Sequence, residues 1–254
     1  MNNQLDSITA KFISKNKELI NENKWLEVYQ NASMLAFSNT NFIIGKFTEL
    51  LFKAGIHPEY FTGIILPSNF LCNSTLSEYA VPDGIKVIKD AAFDSSTISK
   101  ITLPSTLVTI CKYAFYKCEQ LTEITIPDNV IDIQACAFLG CKNLKEINLP
   151  GSLLTINESM FADCHNLQSA TLNEGIEVIG DAAFSVNESL KNLTLPRTLI
   201  RIHTEAFEYC TNLTNITYNG TIEEWSCVEI KSRAFEKVPT STITCIDGTT
   251  KLRH

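Results

Sequence analysis

The sequence predicts an α/β solenoid: a right-handed superhelix with a parallel strand ladder and a helical N-terminal cap. Three observations carry this reading. The stretch Cys118-Glu119-Gln120-Leu121-Thr122-Glu123-Ile124-Thr125-Ile126-Pro127 returns 23 residues later as Cys141-Lys142-Asn143-Leu144-Lys145-Glu146-Ile147-Asn148-Leu149-Pro150. A phenylalanine recurs at Phe93, Phe115, Phe138, Phe161, Phe184 and Phe207, and an isoleucine at Ile88, Ile110, Ile133, Ile156, Ile179 and Ile202. A fixed period of this length marks a chain in which one repeat is one coil and neighbouring coils share a continuous core.

Residues 1–75 do not repeat, and the spacing predicts a small helical capping region there. Asp6 or Ser7 can cap a first helix carrying Ile8, Phe12 and Ile13. A second runs from about Lys24 to Phe37, and a third carries Ile43, Ile44, Phe47, Leu50, Leu51 and Ala54 before Gly55 stops it. Such a region suits the open end of a solenoid core, which needs a cover. Repeats occupy 76–218. In Leu121-x-x-Ile124-x-Ile126 the apolar residues face inward, and Glu123 and Thr125 alternate to the other side of the strand. Proline closes the strand at Pro82, Pro104, Pro127, Pro150 and Pro196, with Asn173 and Asn219 standing in twice. The Phe row marks a short helical or turn segment on the far side of each coil. Residues 219–254 are a modified capping repeat: Phe235 follows Phe207 by 28 residues, and Trp225 lies in the insertion.

Charge narrows the partners. The net charge is −7, and residues 1–75 hold six basic and six acidic side chains, so the whole excess lies in 76–254. An acidic solenoid without a basic stripe is a poor nucleic-acid surface, because phosphate contacts dominate that affinity. No run of 18 apolar residues predicts a membrane span, and no charged segment followed by an apolar one predicts a signal peptide. The expected location is cytoplasmic. Cys118, Cys141, Cys164 and Cys210 share one repeat position and read as a buried row of small hydrophobic side chains. A disulfide framework and a zinc site are the alternatives. The first needs an oxidising compartment, and the second lacks ligand spacing.

These residues resemble the BspA-like leucine-rich repeats, whose coils read Leu-x-x-Ile-x-Ile-Pro, then Val-x-x-Ile, then Ala-Phe and a cysteine. The resemblance covers roughly 76–248, and Tyr218-Asn219-Gly220-Thr221 through Trp225 to Cys245-Ile246-Asp247-Gly248 is similar to that family's closing coil. Trp25-Leu26-Glu27-Val28-Tyr29 and Ala54-Gly55-Ile56 are similar to a segment of bacteriophage-encoded members, which implies an effector in the host cytoplasm. The family resemblance implies adhesion or partner binding and brings no common catalytic activity, cofactor or metal.

The residues agree on the last point. Phosphate-binding glycine loops, a Gly-x-Ser-x-Gly elbow and His-Glu-x-x-His are all missing from the sequence, and His57, His165, His203 and His254 occupy unrelated positions. Glu223 and Glu224 are adjacent and read as capping carboxylates rather than an acid–base pair. What remains is a surface of outward strand residues in two rows. One holds Lys100, Glu123, Glu146, Ser169, Asn192 and Asn215; the other holds Thr102, Thr125, Asn148, Thr171, Thr194 and Thr217. Thr and Asn suit solvated strands in any case. As a binding face they fit a protein partner with a basic patch, or a glycan. The expected function is a non-catalytic protein-binding module, as a phage-encoded intracellular effector that sequesters a host protein. The alternative is a surface adhesin for host protein or glycan.

Overall fold

The computed structural model describes residues 65–66 and 68–252; the helices expected before Gly55 lie outside the described residues. Within them the chain winds into about eight coils around one apolar core. Each coil presents two parallel ladders. The longer one contains β2 (Glu78–Ala80), β4 (Lys100–Thr102), β7 (Glu146–Leu149), β9 (Ser169–Leu172), β11 (Asn192–Leu195), β13 (Asn215–Tyr218) and β15 (Thr242–Cys245). The other is built from two-residue strands: β1 (Ile65–Leu66), β3 (Val87–Ile88), β5 (Thr109–Ile110), β6 (Asp132–Ile133), β8 (Thr155–Ile156), β10 (Val178–Ile179), β12 (Arg201–Ile202) and β14 (Glu229–Ile230). Pairing is in register, for example Asn192 with Asn215 and Leu193 with Ile216.

The α part of the expected class is smaller than expected. Among the described residues the helix is α1 (Ile222–Cys227), and the segments around the Phe row are turns. Their hydrogen bonds explain why. Ala114 N–H bonds Cys111 C=O at 3.3 Å and Tyr116 N–H bonds Tyr113 C=O at 3.0 Å, while Phe115 N–H reaches Ala137 C=O of the next coil at 2.8 Å. Backbone donors that a helix would keep are spent between coils. The geometry needs two left-handed residues per coil, such as Tyr113 (φ 58°) and Lys117 (φ 50°), a requirement that the repeat's side chains do not advertise.

The rows seen in the sequence are physical ladders. Rings from Phe93 to Phe235 stack with centroids 5.0–5.4 Å apart. This is the offset-stacking range for aromatic pairs. Leu71 occupies the same position one coil earlier: its N–H bonds Ala92 C=O as Phe93 bonds Ala114 C=O. Phe70 beside it packs on Tyr79 and Phe93. The residue before each Phe is buried, an alanine in every coil but one, where Met160 takes its place.

All nine cysteines are unbridged, and the cysteine row does more than fill space. Each thiol donates to the Phe carbonyl of the preceding coil: Cys118 to Phe93 (3.0 Å), Cys141 to Phe115 (3.2 Å), Cys164 to Phe138 (3.4 Å) and Cys210 to Phe184 (3.2 Å). Burial pushes the Cys118, Cys164 and Cys210 thiols up to about 12, so they stay protonated donors at neutral pH. Alkylation of the native protein is therefore expected to label exposed Cys227 first and this row only after denaturation. Peptide mapping checks this, and early labelling of Cys141 or Cys164 would contradict the burial.

Asn187 holds the same position one coil before Cys210. Its Nδ2 donates to Phe161 O (2.9 Å) and Phe184 O (2.8 Å), but its buried Oδ1 has no partner among the described residues. Phe184 O already accepts from Cys210, so one donor suffices here. Asn187→Cys is expected to stabilise the chain by about 1 kcal/mol by removing the orphaned acceptor. Equilibrium denaturation reads this directly, with a loss of stability as the contrary result.

The last coil differs from the others in carrying α1. Thr221 and Glu224 form a reciprocal capping box at the start of α1, so Glu224 is a capping carboxylate as read. Trp225 is buried and tilts against Tyr218 at 5.3 Å. Arg233 ties three carboxylates, of Glu205, Glu208 and Glu236. The antiparallel strand β16 (Gly248–Lys251) then ends the longer ladder with threonines and a lysine, a poor template for further strand addition.

Candidate functional site: the strand face

In the longer ladder burial alternates. Ile147 and Leu149 of β7 are buried while Glu146 and Asn148 are exposed, as the period-two reading requires. Both outward rows lie on one face. Lys100 stands between Glu78 and Glu123, and the row continues from Glu146 through Ser169 and Asn192 to Asn215. Thr102, Thr125, Asn148, Thr171, Thr194 and Thr217 form the second row; across both rows Ser169, Thr171 and Thr194 are half-buried and the others exposed. Amide side chains clasp across coils: Asn215 Nδ2 donates to Asn192 Oδ1 at 2.8 Å, and Asn173 Nδ2 to Asn148 Oδ1 at 2.9 Å.

Part of this face sinks into a groove of about 890 Å³. Lys100, Thr102, Glu123, Thr125, Glu146, Asn148, Ser169 and Thr171 line it; Asn192, Thr194, Asn215 and Thr217 lie beyond it. Its lining also includes Ser105, Asp128 and Asn173, which the reading by strands missed. These residues occupy the closing turn, at the proline position or just after it. Ser105 and Asp128 directly follow Pro104 and Pro127 and Asn173 stands at the proline position, and that placement at the strand's end is the signal that could have found them.

The groove lies over a seam. Glu123–Ile126 was expected to be a regular strand but makes an isolated bridge, Glu123 with Lys100. The longer ladder is therefore split, with β2–β4 on one side and β7 to β16 on the other. The short-strand ladder splits between the same two coils, after β6 and before β8. The coils remain joined at the turns, where Phe138 N–H bonds Met160 C=O at 3.0 Å and Phe138 stacks on Phe161 at 5.1 Å. Asn157 Nδ2 to Ile133 O (2.7 Å) and Lys145 N–H to Thr122 O (3.2 Å) also cross the seam.

Electrostatically the groove is acidic. Glu123, Asp128 and Glu146 line it, and among the described residues none of them enters an ion pair; its one lysine, Lys100, sits in register between two glutamates. No histidine or cysteine lines it, and the described residues contain no cluster of three or more metal-ligating side chains. No described helix is long and apolar enough to cross a membrane.

An in-register polar platform on a stack of coils defines a solenoid of the kind generally used for protein binding and typically non-catalytic. The chain belongs to the BspA-type leucine-rich repeat family, whose profile matches in six copies over residues 64–190 and 179–254. Among solved structures it is similar to a leucine-rich repeat protein from T. pallidum, with 26% identity and a TM-score of 0.58 over 64% of this chain and 78% of that one. It is also similar to a leucine-rich repeat protein from Eubacterium ventriosum, with 28% identity and a TM-score of 0.62 over 74% of this chain. That match spans 51% of the E. ventriosum chain. No curated protein matches the sequence significantly.

Proposed function

We propose that this chain is a non-catalytic binding module whose strand face takes a protein partner with a basic patch. The observation that carries the reading is the groove: it places Glu123, Glu146, Thr125 and Asn148 side by side on neighbouring coils, with carboxylates unengaged by the described residues. Stacking of the turns holds the backbones of these coils in place, which preorganises the surface they present. The intracellular version, a phage-encoded effector sequestering a host protein, is supported by nine unbridged thiols, which suit a reducing compartment. It is supported also by the resemblance of Trp25–Tyr29 to phage-encoded chains.

Site-specific photo-crosslinking tests the surface. A crosslinker at Thr125 or Asn148 is expected to capture a defined protein that one at Thr155, on the short-strand ladder, does not. Equal capture at all three positions would remove the strand face as the site.

A further inference from the structure

We infer that the groove over the seam docks an extended, arginine- or lysine-bearing segment of the partner polypeptide. This rests on the strand face being the partner surface and goes further in naming what lies on it and where. The charge is specific to this stretch. Glu123 and Glu146 flank the seam, with Asp128 at one end of the groove; the coils beyond it offer Ser169, Asn192 and Asn215 at the same row. The lining carries three carboxylates, Glu123, Asp128 and Glu146, against one ammonium, Lys100, so the groove keeps a net negative charge.

Cationic side chains carry donors and no acceptors, and a carboxylate carries acceptors only. Arginine adds a planar fork that a carboxylate meets with two bonds. Nucleic acid is the wrong occupant, since its phosphates would be repelled. The interrupted pairing between Glu123–Ile126 and β7 lies in the middle of a groove whose lining spans four coils, which leaves room for an extended segment. An extended segment lying on it sends alternate side chains toward the floor, and because Glu123 and Glu146 share one row on neighbouring coils, a single arginine fork can meet both.

The test uses the full chain and a fluorescent Gly/Ser peptide with arginine at every second position, followed by anisotropy. The arginine peptide is expected to bind about ten-fold or more tighter than its neutral citrulline counterpart, and binding should weaken with salt. Glu123→Gln with Glu146→Gln should weaken it about ten-fold. Glu177→Gln with Glu188→Gln removes the same charge from exposed positions outside the groove and should leave affinity within about two-fold. Equal losses in both pairs, or no binding to the unaltered chain, would overturn the inference. If Thr125 still crosslinks a partner while the arginine peptide fails, only the docked segment is wrong. If the crosslink fails too, the strand-face reading falls with it.

Discussion

Phe138→Ala is expected to lower the stability of the solenoid by about 3–5 kcal/mol, the range for deleting a fully buried aromatic ring. Phe138 is wholly buried and stacks on Phe115 at 5.0 Å and Phe161 at 5.1 Å, so its loss removes one of the two stacking neighbours of each of those rings. The site cannot easily collapse. The backbone of the same turn is fixed by Phe138 N–H to Met160 C=O, and the Phe138 carbonyl accepts from Cys164. The position magnifies the effect, because the seam has lost strand pairing on both ladders and depends on this turn. Nearest-neighbour coupling in a repeat array means that weakening one interface can split the unfolding into two steps. Denaturant unfolding followed by two probes checks this. Phe235→Ala is the comparison: that ring has one stacking neighbour, Phe207, and should cost less. Equal costs, or an unchanged midpoint for Phe138→Ala, would mean that the ring stack does not hold the seam.

Reversing both charges at the groove, Glu123→Lys with Glu146→Lys, is expected to slow association with the partner roughly ten- to a hundred-fold at low salt, and less at moderate salt. The sign follows from complementarity: a basic patch approaching two carboxylates is steered in, and the same patch approaching two ammonium groups is repelled. Folding should survive, since both side chains are exposed and their backbones contribute the same apolar core. Thermal melting controls for that. Unchanged association at both salt concentrations would remove the acidic strand face from the site, and attention would pass to the region around Trp25 and Tyr29.

The sequence by itself determined the coil and its period. Burying one side of Leu-x-x-Ile-x-Ile leaves no choice about which side chains face in, so the core rows and the outward Glu, Thr and Asn rows could be read before any coordinates. Those are consequences of hydrophobic periodicity, a local property. The tertiary structure decided what depends on contacts between coils. The Phe segments are turns because their N–H groups bond the next coil, and nothing in Tyr113 or Lys117 announces a left-handed backbone. The cysteine row is a row of donors because each thiol meets a carbonyl about 25 residues back. The stretch most regular in sequence, Leu121–Pro127, is where strand pairing lapses, because pairing belongs to two coils at once and no single repeat encodes it. For the same reason Asp128 and Asn173 join the groove, brought there by the stacking of turns rather than by any pattern within their own strands.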